Sequence, residues 1–183
     1  MRVCAWLFAA LAAITLPGCQ INPAPSDEIT LHDDEFRPFV EYATRKIRLS
    51  SYPDLIFLRL VARIDRKTGK TTTLVSLVVG YRARHMRKYQ SARNARAEVL
   101  RFYKPSRHRS CEKRACAVDE ALMIEIPETE LRRAPPDGYK LKVFARDGSD
   151  MLIAIPRGAI ERLFAKIDKQ PRPPYAARKH AAE

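Results

Sequence analysis

The chain has 183 residues, the length of one domain with short appendages. Its hydrophobic content of 46% excludes a wholly disordered chain, because enough apolar surface is present to build a core. The 34 basic residues outnumber the 21 acidic ones and give a formal net charge of +13, which favours an anionic partner but does not bear on the fold.

The first eighteen residues have the features of a secretory signal peptide. Arg2 precedes an uncharged apolar run from Val3 to Leu16, which is shorter than the roughly 20 residues that span a bilayer. A proline and a glycine then break the helix, which leaves the extended, small-residue site that a signal peptidase requires. The run Leu16-Pro17-Gly18-Cys19 resembles the lipobox of bacterial lipoproteins. The alternative interpretation is a core helix or a single span that ends in cysteine.

The lipobox resemblance implies cleavage after Gly18 and a diacylglyceryl thioether on Cys19. Several acyl chains on one residue would anchor the chain stably, since each buried methylene contributes about 0.8 kcal/mol. Gln20 follows the cysteine, and the sorting rule of the family then favours the outer membrane, with the protein facing the periplasm.

The sequence divides into four segments. Residues 1–18 are the predicted signal peptide, and residues 19–32 carry the lipidated cysteine and a flexible tether with prolines and acidic side chains. Residues 33–170 are predicted to form a single β-rich globular domain. Residues 171–183 are rich in proline and charge and are predicted to be a disordered tail.

The domain begins with a predicted helix over residues 34–47, for which Asp33 or Asp34 can serve as the N-cap. The apolar residues that recur every three or four positions are Phe36, Phe39, Val40, Ala43 and Ile47. The apolar period then changes to two, which predicts a half-buried strand over 55–65 and, after a turn, a returning strand over 71–81.

The remaining pattern predicts further strands and a second helix. The strands are predicted over 95–103, 118–126, 139–145 and 151–155, and a long loop over 84–94. A helix of about ten residues is indicated by Ile160, Leu163, Phe164 and Ile167. Residues 74–79 are apolar at successive positions, which indicates a central strand covered on both faces. The predicted fold class is mainly β (α+β): an antiparallel β-sandwich or curved sheet of about six strands, with short helices at both ends.

Two cysteines remain once the signal peptide and the lipidation site are set aside. Cys111 and Cys116 lie between two predicted strands, and an even pair in an exported domain predicts one disulfide. A metal site with His108 is the alternative, but no fourth ligand stands at tetrahedral-site spacing. A redox-active pair is a further alternative, although the spacing is not C-x-x-C. We therefore expect a disulfide and no metal.

Residues 82–115 concentrate the basic charge, with twelve Lys and Arg side chains against two acidic ones. The candidates for anion binding are Arg82, Arg84, Arg87, Lys88, Arg93, Arg96, Arg107 and Arg109. The lipobox makes nucleic acid an unexpected partner, so we expect membrane lipid through Cys19 and an anionic envelope component or an acidic protein. The alternative for this segment is a set of dispersed, solvated basic residues.

No motif for catalysis is found in the sequence: G-x-S-x-G, H-E-x-x-H, a P-loop and a dinucleotide-binding glycine pattern are all absent. Asp119 and Glu120 are adjacent carboxylates, but neighbours on a strand point to opposite faces. The leading hypothesis is therefore a non-enzymatic, membrane-anchored binding, scaffolding or accessory module without a cofactor. The alternatives are an envelope enzyme acting on an anionic polymer and, more remotely, a cytosolic nucleic-acid-binding protein.

Overall fold

The structure is a computed structural model in which the described residues are 29–50, 54–112 and 115–169. The predicted signal peptide, the cleavage site Gly18, the lipidation site Cys19 and the predicted tail at 171–183 lie outside the described residues. The end of the predicted tether is described, and its residues Thr30–His32 form a strand of the sheet.

The described residues form one curled antiparallel sheet with two short helices. Its strands are β1 (Thr30–His32), β2 (Phe39–Ala43), β3 (Ile47–Ser50), β4 (Leu55–Asp65), β5 (Thr71–Arg82), β6 (Tyr89–Asn94), β7 (Val99–Glu112), β8 (Ala115–Glu125), β9 (Tyr139–Ala145) and β10 (Asp150–Ile155); the helices are α1 (Glu128–Arg132) and α2 (Arg157–Asp168). The strand order is β1-β2-β4-β5-β8-β7-β6-β9-β10, and β3 pairs with β4. The predicted curved antiparallel sheet is confirmed, but the described residues form ten strands rather than about six.

The hairpin of β4 and β5 forms the middle of the sheet. In β4, Leu58 and Leu60 are buried in the core, whereas Arg59 and Arg63 lie half-buried on the opposite face. The turn between the strands contains Gly69 at a φ of 68°, a conformation that favours glycine. Both strands of this hairpin are confirmed at the predicted positions.

β5 is packed on both faces, as its continuous apolar run predicts. Val75 and Leu77 belong to the main core. Leu74 points the other way and packs with Ala43 and Val61 in a smaller cluster. β5 therefore lies between β4 and β8 as a covered, central strand.

The helix predicted over 34–47 is wrong, because this segment forms β2 and β3 along one edge of β4. Asp34 accepts a hydrogen bond from the backbone N–H of Phe36 at 3.1 Å, but it closes a turn and caps no helix. Thr44 carries the pairing across the irregular junction, since its N–H donates to the Leu60 carbonyl and its hydroxyl accepts from the Leu60 N–H. The aromatic and β-branched residues here favour a strand once β4 offers an edge.

The prediction of a long loop over 84–94 is also partly wrong. β6 begins at Tyr89 and pairs with both β7 and β9, so the loop that precedes it is short. β7 continues well beyond residue 103 and pairs with β8 as far as Glu112. Residues 106–111 of this hairpin are exposed. A solvated basic strand has no apolar alternation, so periodicity could not predict it.

The C-terminal part of the described chain folds as predicted. β9 and β10 form a hairpin whose turn places Gly148 at a φ of 88°. In α2, Ile160, Leu163 and Phe164 are buried, and the helix contacts β2, β4 and α1. Neither helix described here has both the length and the apolar character of a transmembrane span.

Candidate anion-binding cleft

An irregularity in β7 places a basic side chain on the face of the sheet that carries Glu120. Before it, Phe102 lies opposite Ile124 and faces the core. The register with β8 shifts between Tyr103 and Ser106. Beyond the shift, Arg107 stands opposite Glu120 and on its face of the sheet. An extra residue in one strand exchanges its two faces, so this bulge reverses the orientation of every later side chain in β7.

Glu120 is completely buried and serves as the acceptor at the centre of a polar network. Its donors are the Tyr81 hydroxyl at 2.5 Å, Arg107 Nε at 2.9 Å and the backbone N–H groups of Lys88 at 3.0 Å and Tyr89 at 3.2 Å. A carboxylate only accepts hydrogen bonds, and all four partners donate. The side chain therefore joins β8 to β5, to β7 and to the start of β6.

Tyr81 extends the network to the loop that joins β5 to β6. Its hydroxyl accepts a hydrogen bond from the Arg87 N–H at 2.8 Å while it donates to Glu120. Burial, followed by the hydrogen bond to Glu120, raises the pKa of Tyr81. The Arg87 guanidinium lies over the Tyr81 ring at 4.4 Å and makes two contacts with the Asp54 carboxylate.

These contacts hold the loop at 83–88 in a defined conformation. Lys88 adopts a φ of 60°, which costs a residue with a side chain roughly 1–2 kcal/mol. The hydrogen bond from its N–H to Glu120 compensates for that conformation. From the other side, the Arg146 N–H donates to the carbonyls of Arg87 and Lys88, at 3.1 Å each. The loop is thus fixed between the interior of the sheet and the β9–β10 turn.

A basic cleft of about 420 Å³ opens between this loop, β7 and the β9–β10 turn. Its lining residues are His85, Met86, Arg87, Lys88, Arg109, Arg146 and Asp147. Four of the seven are Lys or Arg and a fifth is histidine, although the elements that carry them are far apart in sequence. The cleft thus brings Arg87, Lys88 and Arg109 of the basic segment together around a concavity.

The charges of the basic cleft differ in how far they are already neutralised. Arg87 is paired with Asp54. Arg109 donates to the Arg84 carbonyl at 2.8 Å, so its position is fixed while its charge is not cancelled. Lys88 and Arg146 form no ion pair with an acidic side chain of the described residues. Lys88, Arg109 and Arg146 therefore keep three positive charges at the cleft, against the one carboxylate of Asp147 in its lining.

Asp147 is the one acidic residue of the lining. Its Oδ1 accepts hydrogen bonds from the hydroxyl and the backbone N–H of Ser149, at 2.6 and 2.9 Å. These bonds hold the pKa of Asp147 below its usual value. The carboxylate thus stabilises the β9–β10 turn through its hydrogen bonds to Ser149.

The predicted disulfide pair lies at the end of the β7–β8 hairpin. Cys111 and Cys116 are cross-strand neighbours with a Cα–Cα distance of 4.0 Å, and their sulfurs are bonded. Arg109 donates to Cys116 Sγ at 3.1 Å, which connects this bridge to the basic cleft. The described residues contain no cluster of His, Cys, Asp or Glu side chains that could hold a metal ion.

The structure does not gather all of the predicted anion-binding candidates on one face. Arg87, Lys88 and Arg109 line the basic cleft, and Arg84 contributes a backbone carbonyl beside it. The others lie elsewhere: Arg82 is exposed at the end of β5, Arg93 lies 5.9 Å from the Phe144 ring, Arg96 pairs with Glu98 and Glu130, and Arg107 pairs with Glu120.

Sequence reasoning missed several residues of this site, and the most important of them are Arg146 and Glu120. Glu120 falls in phase with the buried Val118, Leu122 and Ile124, and a charged residue in that phase is a readable signal of a buried polar partner. Arg146 follows a strand and precedes a turn that the sequence does predict. Nothing local to it shows that this turn contacts a loop nearly sixty positions earlier.

A second cleft of about 430 Å³ lies beside α1 and the start of β9. There Glu130 accepts hydrogen bonds from the Tyr139 hydroxyl at 2.7 Å and from Asn94 at 3.2 Å, and it pairs with Arg96. Its charged residues are of both signs, and Arg96 and Lys140 are paired with Glu130 and Asp137, so the basic cleft has the larger excess of positive charge and is the stronger candidate for binding. Comparisons of the chain with protein-family models, with curated proteins and with solved structures find no match.

Proposed function

We propose that this chain is a lipid-anchored envelope lipoprotein whose β domain binds an anionic partner in the basic cleft, as a non-enzymatic accessory module. The observation that supports binding is the convergence of Lys88, Arg109 and Arg146 from three separate elements around one concavity. Cations brought together in this way repel one another in the free protein. An anion in the cleft relieves that repulsion and gains charge-assisted hydrogen bonds.

The anchor part of the proposal rests on the lipobox at residues 16–19. The first described residue, at position 29, lies ten positions after Cys19. Such a segment reaches up to about 35 Å when extended, enough to hold the domain clear of lipid headgroups. A partner in the same membrane or in the surrounding envelope is then within reach of the cleft.

The binding part of the proposal is supported by the rigidity of the cleft. The loop at 83–88 is tied to Glu120 and Tyr81 on one side and to Arg146 on the other. Groups that are already positioned lose little conformational freedom when a ligand arrives, so more of the interaction energy appears as affinity.

The anchor is tested by expressing the native chain and Cys19→Ala in a bacterial host. We expect the native protein to lose residues 1–18, to gain the mass of its acyl chains and to fractionate with membranes. The alanine variant should lose both the lipid mass and the membrane association. A native protein that keeps its first eighteen residues and remains in the cytosol contradicts the anchor.

Binding is tested by elution from heparin, a sulfated polyanion, with two variants of equal charge. Lys88→Ala/Arg146→Ala removes two positive charges from the basic cleft, whereas Arg82→Ala/Arg93→Ala removes two from elsewhere on the basic segment. We expect only the cleft variant to elute at clearly lower salt, because converging charges act together on one ligand. Equal shifts for the two variants indicate general attraction by net charge and contradict a specific site.

A further inference from the structure

We propose that the basic cleft is a site for a dianionic phosphate group, of the kind found at the end of a phosphomonoester, held between Lys88 and Arg146. This inference rests on the proposed function of the cleft and specifies the ligand that it takes. The inference concerns the phosphate group alone, because a lipid, a glycan or free phosphate would present the same group to the cleft.

The charge of the cleft matches a dianion better than a monoanion. Four basic residues line it, and the Asp147 carboxylate and the Asp54 carboxylate that pairs with Arg87 offset two of them. An excess of two positive charges remains. A phosphomonoester carries about −1.5 to −2 at neutral pH, whereas a carboxylate or a phosphodiester carries −1. Only the phosphomonoester brings the site close to neutrality.

The donors of the cleft also suit phosphate oxygens. The planar guanidinium of Arg146 can contact two oxygens at once, and the ammonium of Lys88 supplies a compact charge. Arg109 is held against the Arg84 carbonyl by one of its terminal nitrogens, and its remaining N–H groups are donors for a third oxygen. Three oxygens and three cationic side chains are therefore matched.

The geometry of the cleft points to a terminal phosphate on a larger molecule. A volume of about 420 Å³ exceeds what one phosphate group occupies, and the cleft is open to solvent. Met86 offers an apolar surface in the lining for the group to which the phosphate is attached. Free phosphate would leave that surface uncovered.

The conformation of Lys88 is a second sign that this position is built for a ligand. Its φ of 60° is costly for a lysine, and glycine would adopt it freely. The loop retains the lysine there and secures its backbone to the buried Glu120. The hydrogen bond to Glu120 maintains this unfavourable backbone conformation, and such a conformation is expected where the direction of the side chain matters for binding.

The test is titration calorimetry at pH 7.5 and low ionic strength on the full chain in a zwitterionic detergent. The probes are glycerol 3-phosphate, dimethyl phosphate and acetate, which compare a monoester dianion with two monoanions. We expect glycerol 3-phosphate to bind about tenfold more tightly than either monoanion. We expect Lys88→Ala/Arg146→Ala to lose about tenfold in that affinity, and Arg82→Ala/Arg93→Ala to stay within about twofold.

Equal affinities for the monoester and the diester, or an undiminished affinity in the cleft variant, overturn this inference. If heparin elution still depends on the cleft in that case, the proposed function stands and only the choice of phosphate fails. If neither measurement depends on the cleft, the proposed function fails as well.

The source of the phosphate is distinguished with vesicles and the Cys19→Ala variant, which has no lipid of its own. Vesicles with phosphatidic acid present a monoester headgroup, and vesicles with the same molar fraction of phosphatidylglycerol present a diester. Preferential binding to phosphatidic acid identifies a lipid headgroup and supports the inference. Binding of glycerol 3-phosphate without a preference between the vesicles supports it with a soluble phosphomonoester as the source.

Discussion

Glu120 is the residue on which the basic cleft depends, although it does not line the cleft. It is the common acceptor for Tyr81 and Arg107, and for the backbone N–H groups that begin β6. Without a carboxylate at this point, the partly exposed Arg107 guanidinium would lose its ion pair, and the backbone N–H groups of Lys88 and Tyr89 would lose their acceptor. A buried polar group without a partner destabilises the fold by more than the net energy of the lost hydrogen bond, because it has also lost its hydrogen bonds to water.

Glu120→Gln tests this role at nearly constant volume. The amide nitrogen of glutamine is itself a donor and would face one of the groups that now donate to Glu120. The negative charge that pairs with Arg107 would also be lost. We expect a loss of about 3 kcal/mol in the free energy of unfolding, measured by urea denaturation. Asp119→Asn on the exposed face of the same strand is the matched control and should stay within about 0.5 kcal/mol. A similar small effect for both substitutions would show that the network does not stabilise the fold.

The phosphate affinity of Glu120→Gln separates positioning from folding. If the carboxylate positions Lys88, the variant should bind glycerol 3-phosphate more weakly under conditions in which it is still folded. An affinity equal to that of the native chain would show that the loop keeps its conformation through Arg146 alone.

At the scale of elements, the predictable ones are those whose own apolar pattern, alternating, continuous or helical, identifies them. β4, β9, β10 and α2 follow from the sequence because each has its own apolar period, and β5 follows from its continuous apolar run. β2 and β3 do not, since their apolar residues also fit a helix and the edge of β4 decides between the two structures. The distal half of β7 has no apolar phase, and it is a strand because β8 pairs with it.

The candidate site was only partly predictable for the same reason. Lys88 and Arg109 were candidates because basic residues cluster in the sequence. Their meeting with Arg146 depends on the contact between the β9–β10 turn and a distant loop, and no local pattern encodes that contact. The opposite case is Arg96, which belongs to the same basic segment but pairs with Glu130 at the second cleft.

The disulfide belongs to the element scale because it closes the β7–β8 hairpin that carries Arg109. Replacing Cys111 and Cys116 together by serine opens a loop of six residues, for which chain entropy gives a loss of about 2 kcal/mol. We expect that loss in urea denaturation, with faster hydrogen exchange at residues 106–111. Treatment of the native chain with a reductant should reproduce the change and leave the serine variant unaffected. Equal stability of the oxidised and the reduced native chain would contradict a stabilising bridge.

At the scale of the whole molecule, the positive charge is distributed around a sheet whose interior holds many tyrosines. The tyrosines with a raised pKa are Tyr42, Tyr81, Tyr89, Tyr103 and Tyr139. Burial is the largest cause for each of them except Tyr103, where the hydrogen bond to Glu125 comes first. The folded state therefore keeps these hydroxyls protonated at pH values where the unfolded chain releases its protons.

This difference predicts that alkali unfolds the protein cooperatively. A folded pKa above the unfolded value of 10 gives stability that is fully present below pH 10 and declines as the pH rises past it. For Tyr81 and Tyr89, which are both buried, the decline amounts to as much as about 1.4 kcal/mol per pH unit for each residue. We expect the tyrosinate absorbance of the folded chain to rise together with the loss of circular dichroism. This rise should occur at a pH well above the midpoint of the tyrosine titration of the chain unfolded in urea.

Tyr81→Phe should make the pH dependence of stability less steep, even though it lowers the stability at neutral pH by removing the hydrogen bond to Glu120. A gradual tyrosinate rise near pH 10, with the fold intact, would show that these hydroxyls are open to water and that the network around Glu120 is not closed.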